Sequence, residues 1–118
     1  MDIYKVVFML MAQDMDRATA FYTDVVGLKV NYQSPDCTEL SYGDAVVALH
    51  GGGTGEFNAT GLGFTVGDVE AACREVAVGG GTVRSGPTER PGEPILLAML
   101  ADTEGNGFEL AQETEQEW

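Results

Sequence analysis

The sequence predicts an α+β protein made of two similar modules. Asp14 and Asp68 each follow an apolar segment, and each begins a run in which small and apolar residues recur at helical spacing. A glycine, Gly27 or Gly81, follows each aspartate at the same distance and precedes a stretch with the composition of a strand. Landmarks that coincide at one offset indicate an internal duplication. Each module is therefore predicted to be a strand, a helix and then further strands.

The expected organisation is one domain over residues 1–118. A chain of this length can bury one core of ordinary size, but it is too short for two large independent domains. We expect the first module at about residues 3–53 and the second at about 60–112, joined near the glycine-rich segment 51–55.

In the first module, Asp14 is placed to cap a helix and Gly27 to end it. A side-chain oxygen satisfies free amides at a helix start, and glycine tolerates the positive φ that ends many helices. The apolar face of this helix is predicted to consist of Ala18, Phe21, Tyr22 and Val25. Strands are expected at Tyr4–Met11, Leu28–Gln33, Thr38–Tyr42 and Ala45–His50.

The second module follows the same plan, with Asp68 as the helix cap and glycines 79–81 at the helix end. Its helix face is predicted to consist of Val69, Ala72, Cys73 and Val76, and its strands to span Leu62–Val66, Thr82–Ser85, Ile95–Leu100 and Gly107–Ala111. The segment Ser85–Pro94 contains three prolines and is expected to be a long loop. The acidic tail 112–118 is expected to fray.

Alternation along the strands predicts one apolar face and one face of small or polar residues. Leu62, Phe64 and Val66 share one side of their strand, whereas Gly61 and Gly63 lie on the other. The apolar side should pack under the helices. The opposite side is either exposed to solvent or the wall of a cavity, and the pattern leaves both interpretations open.

Composition restricts the partners of this chain. A net charge of −13 repels phosphate backbones and anionic lipids, so we expect neither nucleic acid nor membrane as a partner. The apolar run Val6–Ala12 is too short to cross a bilayer. Two cysteines do not form a disulfide framework, and Cys73 lies on a helix face that is typical of a buried thiol. We therefore expect a cytoplasmic protein with reduced thiols.

Two ordered motifs give the chain a family resemblance. They are Phe8…Asp14-x-x-Arg17-Ala18-x-x-Phe21-Tyr22-x-Asp24-Val25-Val26-Gly27-Leu28 and Asp102-x-x-Gly105-Asn106-x-Phe108-Glu109-Leu110. With the helix and turn of the second module, they resemble the opening and closing signatures of the glyoxalase/bleomycin-resistance/dioxygenase family, the vicinal oxygen chelate superfamily. The resemblance covers about residues 3–112. It implies a paired βαβββ fold whose curved mixed sheets form a cup with the helices outside, and a homodimer with sites near the subunit boundary.

Metal-dependent members of that family carry four ligands, chosen from His, Gln and Glu, on the inner sheet face. The resemblance places these positions at Val7, Ala48, Gly61 and Glu109. Three of the four side chains have no donor atom. His50, the only histidine, should face the same way as Ala48, but a catalytic metal site usually needs three protein ligands. The remaining candidates, Gln13 and Glu56, lie in predicted loops, so we expect no metal and no other cofactor.

An inner face without these donors becomes apolar and roomy, and methionines adapt well to irregular aromatic ligands. The predicted ligand-binding residues are Val7, Met9, Met11, Tyr32, Tyr42, Ala48, His50, Phe57, Gly61, Gly63, Met99 and Glu109. No catalytic residue is predicted.

The predicted function is that of the metal-free, bleomycin-resistance-like branch. Such a protein sequesters an aromatic or cationic antibiotic or metabolite in a cup between modules or subunits. One alternative is a lyase, isomerase or dioxygenase of the same fold that depends on metal or uses Glu109 or His50 as acid or base. Another is an accessory or regulatory domain whose own side chains fill the cup.

Overall fold

The computed structural model describes residues 1–114 as eight strands and two α-helices. In chain order the elements are β1 (Val7–Ala12), α1 (Met15–Ala20) with a π-helical continuation (Phe21–Val26), β2 (Lys29–Gln33), β3 (Cys37–Tyr42), β4 (Ala45–Gly51), β5 (Asn58–Thr65), α2 (Val69–Val78), β6 (Thr82–Arg90), β7 (Glu93–Ala101) and β8 (Asn106–Glu113). No helix among these residues is long and apolar enough to span a membrane.

The strands form two four-stranded sheets, one in each module, with orders β1-β4-β3-β2 and β5-β8-β7-β6. In both sheets the first and last strands of the module pair in parallel, and the other neighbours pair antiparallel. This repetition confirms the predicted α+β class and the paired βαβββ plan. Neither sheet closes into a barrel.

The first helix begins and ends where the sequence predicts. The Asp14 carboxylate accepts a hydrogen bond from the Arg17 amide at 3.0 Å, and Gly27 ends the helix with a φ of 91°. The amides of Gly27 and Leu28 both donate to the Tyr22 carbonyl, at 3.0 and 2.9 Å. These wide hydrogen bonds open the last turns into a π-helix before the chain reverses at glycine.

The second helix is also confirmed. The Asp68 carboxylate accepts from the Ala71 amide at 3.0 Å, and Val69, Cys73 and Val76 are buried on one face. Burial, reinforced by the nearby Glu70 charge, raises the pKa of the Cys73 thiol. A thiol with a raised pKa stays protonated and unreactive, in agreement with the predicted structural role.

The prediction of a long loop over Ser85–Pro94 is wrong. Strands β6 and β7 continue through most of this segment and meet in a tight turn at Gly92, whose φ is 80°. Proline is tolerated here because β6 is the outermost strand of its sheet and Pro94 stands near the start of β7.

The tail prediction also needs a correction. Strand β8 runs to Glu113, and the Gln112 side chain accepts a hydrogen bond from the Val69 amide at 2.9 Å. Residues 112 and 113 are therefore part of the sheet. The Thr114 amide donates to the Pro94 carbonyl at 2.8 Å, and residues 115–118 of the predicted fraying segment lie outside the described residues.

The core lies between the helices and the adjoining faces of both sheets, and it is continuous across the modules. Phe21 packs edge-on against Tyr22 and Phe108, with ring centroids 5.1 and 6.2 Å apart. Phe108 in turn meets Phe64 at 6.1 Å. These contacts join the helix of the first module to the sheet of the second.

A buried polar cluster closes the boundary between the modules, and we call it the intermodule joint. It consists of Asp102, Glu104 and Asn106, from the β7–β8 connection and the start of β8, with their partners in the first module. Asp102 accepts from the Tyr22 hydroxyl at 2.6 Å. The Asn106 amide donates to the Met11 carbonyl at 2.7 Å, so it holds the end of β1 much as a neighbouring strand would.

Glu104 supplies the second half of the intermodule joint. Its carboxylate accepts from the backbone amides of Gln13 and Asp14 at 3.0 and 2.8 Å, and from the Arg17 guanidinium at 2.8 Å. Burial pushes the pKa of Glu104 upward, but these hydrogen bonds and one from Thr103 outweigh it and hold the pKa below its usual value. The first helix is therefore anchored at its start by a carboxylate of the second module.

Candidate functional site

Each sheet has a second face, directed away from the core, and the two faces together form the candidate site. The module 1 face consists of Val7, Met9, Met11, Tyr32, Glu39, Val46, Ala48 and His50. The module 2 face consists of Phe57, Gly63, Arg84, Met99, Gly107 and Glu109. Strand alternation places these residues opposite core residues such as Leu10, Leu49 and Phe108.

The module 1 face is largely apolar and open. Met9 and Met11 are 52% and 41% exposed, whereas Ala48 between β1 and β3 is buried. His50 stands in register between Met11 and Cys37 at the end of β4, and it is exposed. The face therefore offers methionine side chains to whatever covers it.

One polar cluster lies on the module 1 face. Glu39 accepts hydrogen bonds from Lys5 and from Asn31, the latter at 3.1 Å, and both bonds lower the pKa of its carboxyl group. The Tyr32 hydroxyl lies 3.8 Å from the Cys37 sulfur, and this hydrogen bond raises the Tyr32 pKa. Glu39 is thus already neutralised by a lysine and is a poor partner for a further cation.

The module 2 face contains a stacked pair. The guanidinium carbon of Arg84 lies 3.6 Å from the centre of the Phe57 ring. The same ring lies against Gly107, where an added Cβ would come within 3.0 Å of two ring carbons. Glycine at this position therefore lets the Phe57 ring approach β8 closely while Arg84 stacks on it.

A row of residues crosses the sheet beside this pair. Gly63, Glu109, Met99 and Ser85 are register partners on β5, β8, β7 and β6. Glu109 is half-buried, and among residues 1–114 its carboxylate has no hydrogen-bond or ion-pair partner. Met99 is 41% exposed beside it. The face thus combines an aromatic ring, a cation, a carboxylate and a thioether.

The four positions that the family resemblance assigns to metal do not fit a metal ion. Val7, Ala48 and Gly61 have no side-chain donor, which leaves the Glu109 carboxylate alone. Within the part of the chain that the structure describes, no group of three His, Cys, Asp or Glu side chains is placed to hold a metal. His50 and Glu109 belong to different sheets. No chemical step through a metal follows from this donor set.

A separate apolar cavity lies between the modules, with a volume of about 940 Å³. Its walls are formed mainly by core-side residues, including Phe8, Val25, Phe64, Ala72, Val76 and Leu110. Of the predicted ligand-binding residues, Tyr42, Gly61 and Gly63 line this cavity, and Gly61 lies against the Phe8 ring. The other nine residues lie outside its walls.

Sequence reasoning missed both Arg84 and this cavity. Arg84 is one base among six, and nothing in its neighbourhood along the chain indicates that it meets Phe57. The cavity walls carry the ordinary apolar periodicity of helix and strand core faces, so no local signal separates them from packed core.

The sequence also matches the family model described as glyoxalase/bleomycin resistance protein/dioxygenase superfamily, over residues 6–110. The chain belongs to this superfamily. The match includes both predicted motifs and both modules, and it agrees with the vicinal oxygen chelate fold seen in the two sheets. No curated protein sequence matches the chain significantly.

Solved structures share this superfamily fold. TnmS3, an antibiotic-binding protein from Streptomyces sp. CB03234, is 22% identical, with a TM-score of 0.74 and coverage of 96% of this chain and 98% of that one. The bleomycin-binding protein from Streptomyces verticillus, solved with copper(II)-bleomycin, is 17% identical, with a TM-score of 0.67 and coverage of 98% and 99%. FosX, a fosfomycin resistance protein from Listeria monocytogenes, is 16% identical, with a TM-score of 0.75 and coverage of 100% and 97%. At these identities the likeness concerns the fold.

Proposed function

We propose that this chain is a small-molecule-binding protein of the metal-free, bleomycin-resistance-like branch of its superfamily. It holds an aromatic or cationic antibiotic or metabolite on the module faces and releases it unchanged. The antibiotic-binding and bleomycin-binding proteins of the same fold support this class of function. The proposal also places the protein in the cytoplasm.

One observation carries the proposal: three of the family's four metal positions have no side-chain donor, and methionines are exposed on both module faces. Val7 and Ala48 lie beside Met9 in the β1–β4 register, and Glu109 lies beside Met99 in the second sheet. Gly61 lies against the Phe8 ring in the intermodule cavity. A metal enzyme needs its donors at these positions, whereas a binding protein needs apolar area and room. Exposed thioethers adapt to flat, irregular ligands.

The cationic part of the proposal rests on Glu109 and on the net charge of −13. Glu109 is half-buried and has no partner among residues 1–114, so a ligand amine would give it one. The overall charge raises the local concentration of cations around the protein, although salt screens that effect.

A second copy of the chain completes the proposed site. In a single chain Met9, Met11 and Met99 are between 41% and 52% exposed, and a ligand on one open face would bury too little surface for tight binding. A homodimer that apposes a module 1 face and a module 2 face would enclose the ligand. Light scattering coupled to gel filtration tests this directly, and a monomer at micromolar concentration would contradict it.

Ligand binding is tested by thermal shift and calorimetry against a library of flat aromatic compounds. A ligand at 100 times its dissociation constant should stabilise the fold by about 2.7 kcal/mol. Mass spectrometry of the recovered compound should find it unchanged. If no compound stabilises the chain, a regulatory domain with a filled cup is favoured over this proposal.

The location of the ligand is tested with matched variants. Met9→Thr and Met99→Thr each remove apolar area from one module face and should weaken binding. Ala72→Leu adds volume inside the intermodule cavity and should leave binding unchanged, because Ala72 lines that cavity and neither module face. The reverse pattern would move the site to the cavity.

Metal dependence is tested by elemental analysis and by calorimetry with zinc, nickel, manganese and iron(II). The expected result is no stoichiometric metal and no heat of binding, because a single carboxylate holds divalent ions weakly. One metal per chain would instead favour a metal-dependent enzyme.

A metal-independent enzyme is the second candidate function. The observation that favours it is the Glu109 carboxylate, which has no partner among residues 1–114 and occupies one of the family's metal-ligand positions. Glu109 would then act as an acid or base on a bound substrate. Glu109→Gln separates the two functions: loss of turnover with binding retained supports the enzyme, whereas a change in affinity alone supports the binding protein.

A further inference from the structure

The module 2 face carries Arg84, whose guanidinium stacks on the Phe57 ring. Lys5, Arg17 and Arg90 form ion pairs with Glu39, Glu104 and Glu93. Arg84 has no ion pair or side-chain hydrogen bond among residues 1–114, although the chain contains 19 acidic residues. Lys29 and Arg74 also have no ion pair among these residues. What distinguishes Arg84 is its stacked position on a sheet face, where its N–H groups are available to a ligand.

The Arg84 guanidinium is also held in a defined orientation. A separation of 3.6 Å from the Phe57 ring centre is that of stacked flat groups, and Phe57 is itself fixed by contact with Gly107. Stacking occupies one side of the guanidinium and leaves its N–H groups free at the edge. These donors form a planar fork that matches the two oxygens of a carboxylate.

We propose that the ligand of this face is a planar aromatic acid, whose carboxylate or equivalent acidic oxygen binds the edge of Arg84. A conjugated acid bound to the edge of the guanidinium extends outward from the Arg84–Phe57 stack. Arg84 is the bulged residue between Val83 and Ser85, and Met99 is the register partner of Ser85 on the neighbouring strand, where it can support the ligand ring. Glu109, in the same row, accepts from a hydroxyl or amine on that ring. This inference rests on the proposed binding function and identifies its ligand class.

The test uses two probes of similar shape that differ in charge, 2-naphthoate and 2-naphthamide, titrated into the full 118-residue chain by calorimetry. The net charge alone predicts that the amide binds better, whereas Arg84 predicts that the acid binds about tenfold tighter. Raising the salt concentration should weaken the binding of the acid and leave that of the amide unchanged.

Variants assign the effect to Arg84. Arg84→Gln should abolish the preference for naphthoate and leave naphthamide binding intact, and Arg84→Lys should recover it only in part because an ammonium lacks the planar fork. Arg74→Gln is the matched control, since Arg74 is exposed on α2 and its replacement removes the same charge elsewhere. The preference of this control should equal that of the unmodified chain.

The outcomes distinguish a failure of this inference from a failure of the proposed binding function. Equal binding of both probes, or an acid preference that survives Arg84→Gln, overturns the inference and leaves the binding function standing. Failure of both probes to bind the unmodified chain overturns the inference, and the library screen then decides separately whether the binding function stands. Loss of preference in Arg84→Gln but not in Arg74→Gln supports the inference.

Discussion

The intermodule joint and the module faces differ in whether their polar side chains are buried and hydrogen-bonded. In the joint, Asp102, Glu104 and Asn106 are almost wholly buried, and each side chain makes several hydrogen bonds. Among residues 1–114, no buried side-chain nitrogen or oxygen lacks a partner. On the faces, Arg84 and Glu109 have no such partner within that part of the chain, and methionines are exposed.

This difference assigns separate roles to the two regions. The joint is built from residues of the two family motifs, including Arg17, Tyr22, Asp102 and Asn106. The motifs that reveal the family are therefore the ones that hold the modules together. Under the proposed function, the residues that select a ligand lie on the faces, where substitution costs the fold little.

The largest expected effect comes from breaking the joint with Asp102→Ala. Asp102 accepts from the Tyr22 hydroxyl, the Asn106 side chain and the amides of Glu104 and Asn106, at 2.6 to 2.9 Å. The replacement removes the carboxylate and leaves these buried N–H and O–H donors without an acceptor. It should therefore lower the free energy of unfolding by about 3–5 kcal/mol. Urea unfolding measures it, with exposed Asp44→Ala as the control that should change stability by less than about 0.5 kcal/mol.

A backbone test of the joint compares Gly105→Ala with Gly92→Ala. Both glycines have positive φ, 89° and 80°, so both alanines carry a similar conformational cost of about 1–2 kcal/mol. An added Cβ at Gly105 would also fall on the Glu56 carbonyl, whereas Gly92 has open space. Gly105→Ala should therefore be the more destabilising by at least about 1 kcal/mol in thermal unfolding. Equal losses would mean that the contact relaxes freely.

The third prediction concerns pH. The pKa of Glu104 is lower in the folded chain than its ordinary value, so its contribution to stability is present above about pH 4.3 and is lost as the pH falls through the folded pKa. Glu104→Gln should cost about 1–3 kcal/mol at pH 7 and progressively less in acid. Urea unfolding at several pH values checks this. A loss that stays constant with pH would contradict the assignment.

The smallest effect on stability is expected on a module face. Met99→Thr removes a half-exposed side chain and should change the free energy of unfolding by less than about 0.5 kcal/mol. Leu100→Ala, the next residue on the opposite side of β7, should cost about 3 kcal/mol because Leu100 is 1% exposed. A large loss for Met99→Thr would show that this face is structural.

Local features were predicted well because they depend on neighbouring residues. Asp14 and Asp68 cap their helices through bonds to amides three residues ahead, and Gly27 ends the first helix at a positive φ. The duplication and the strand alternation are likewise visible along the chain. The loop predicted at Ser85–Pro94 failed because proline is compatible with a strand at a sheet edge, and edge position is decided by strand order.

The sequence by itself determined the fold class, the repeated strand–helix–strand plan and the helix boundaries. Only the tertiary structure decided which distant groups meet: Arg84 on Phe57, Asn106 on the end of β1, and the walls of the intermodule cavity. The physical reason is the sequence distance over which each interaction acts. Capping, turn conformation and periodicity act over a few residues, whereas stacking and joint formation depend on how two separately folded sheets are placed.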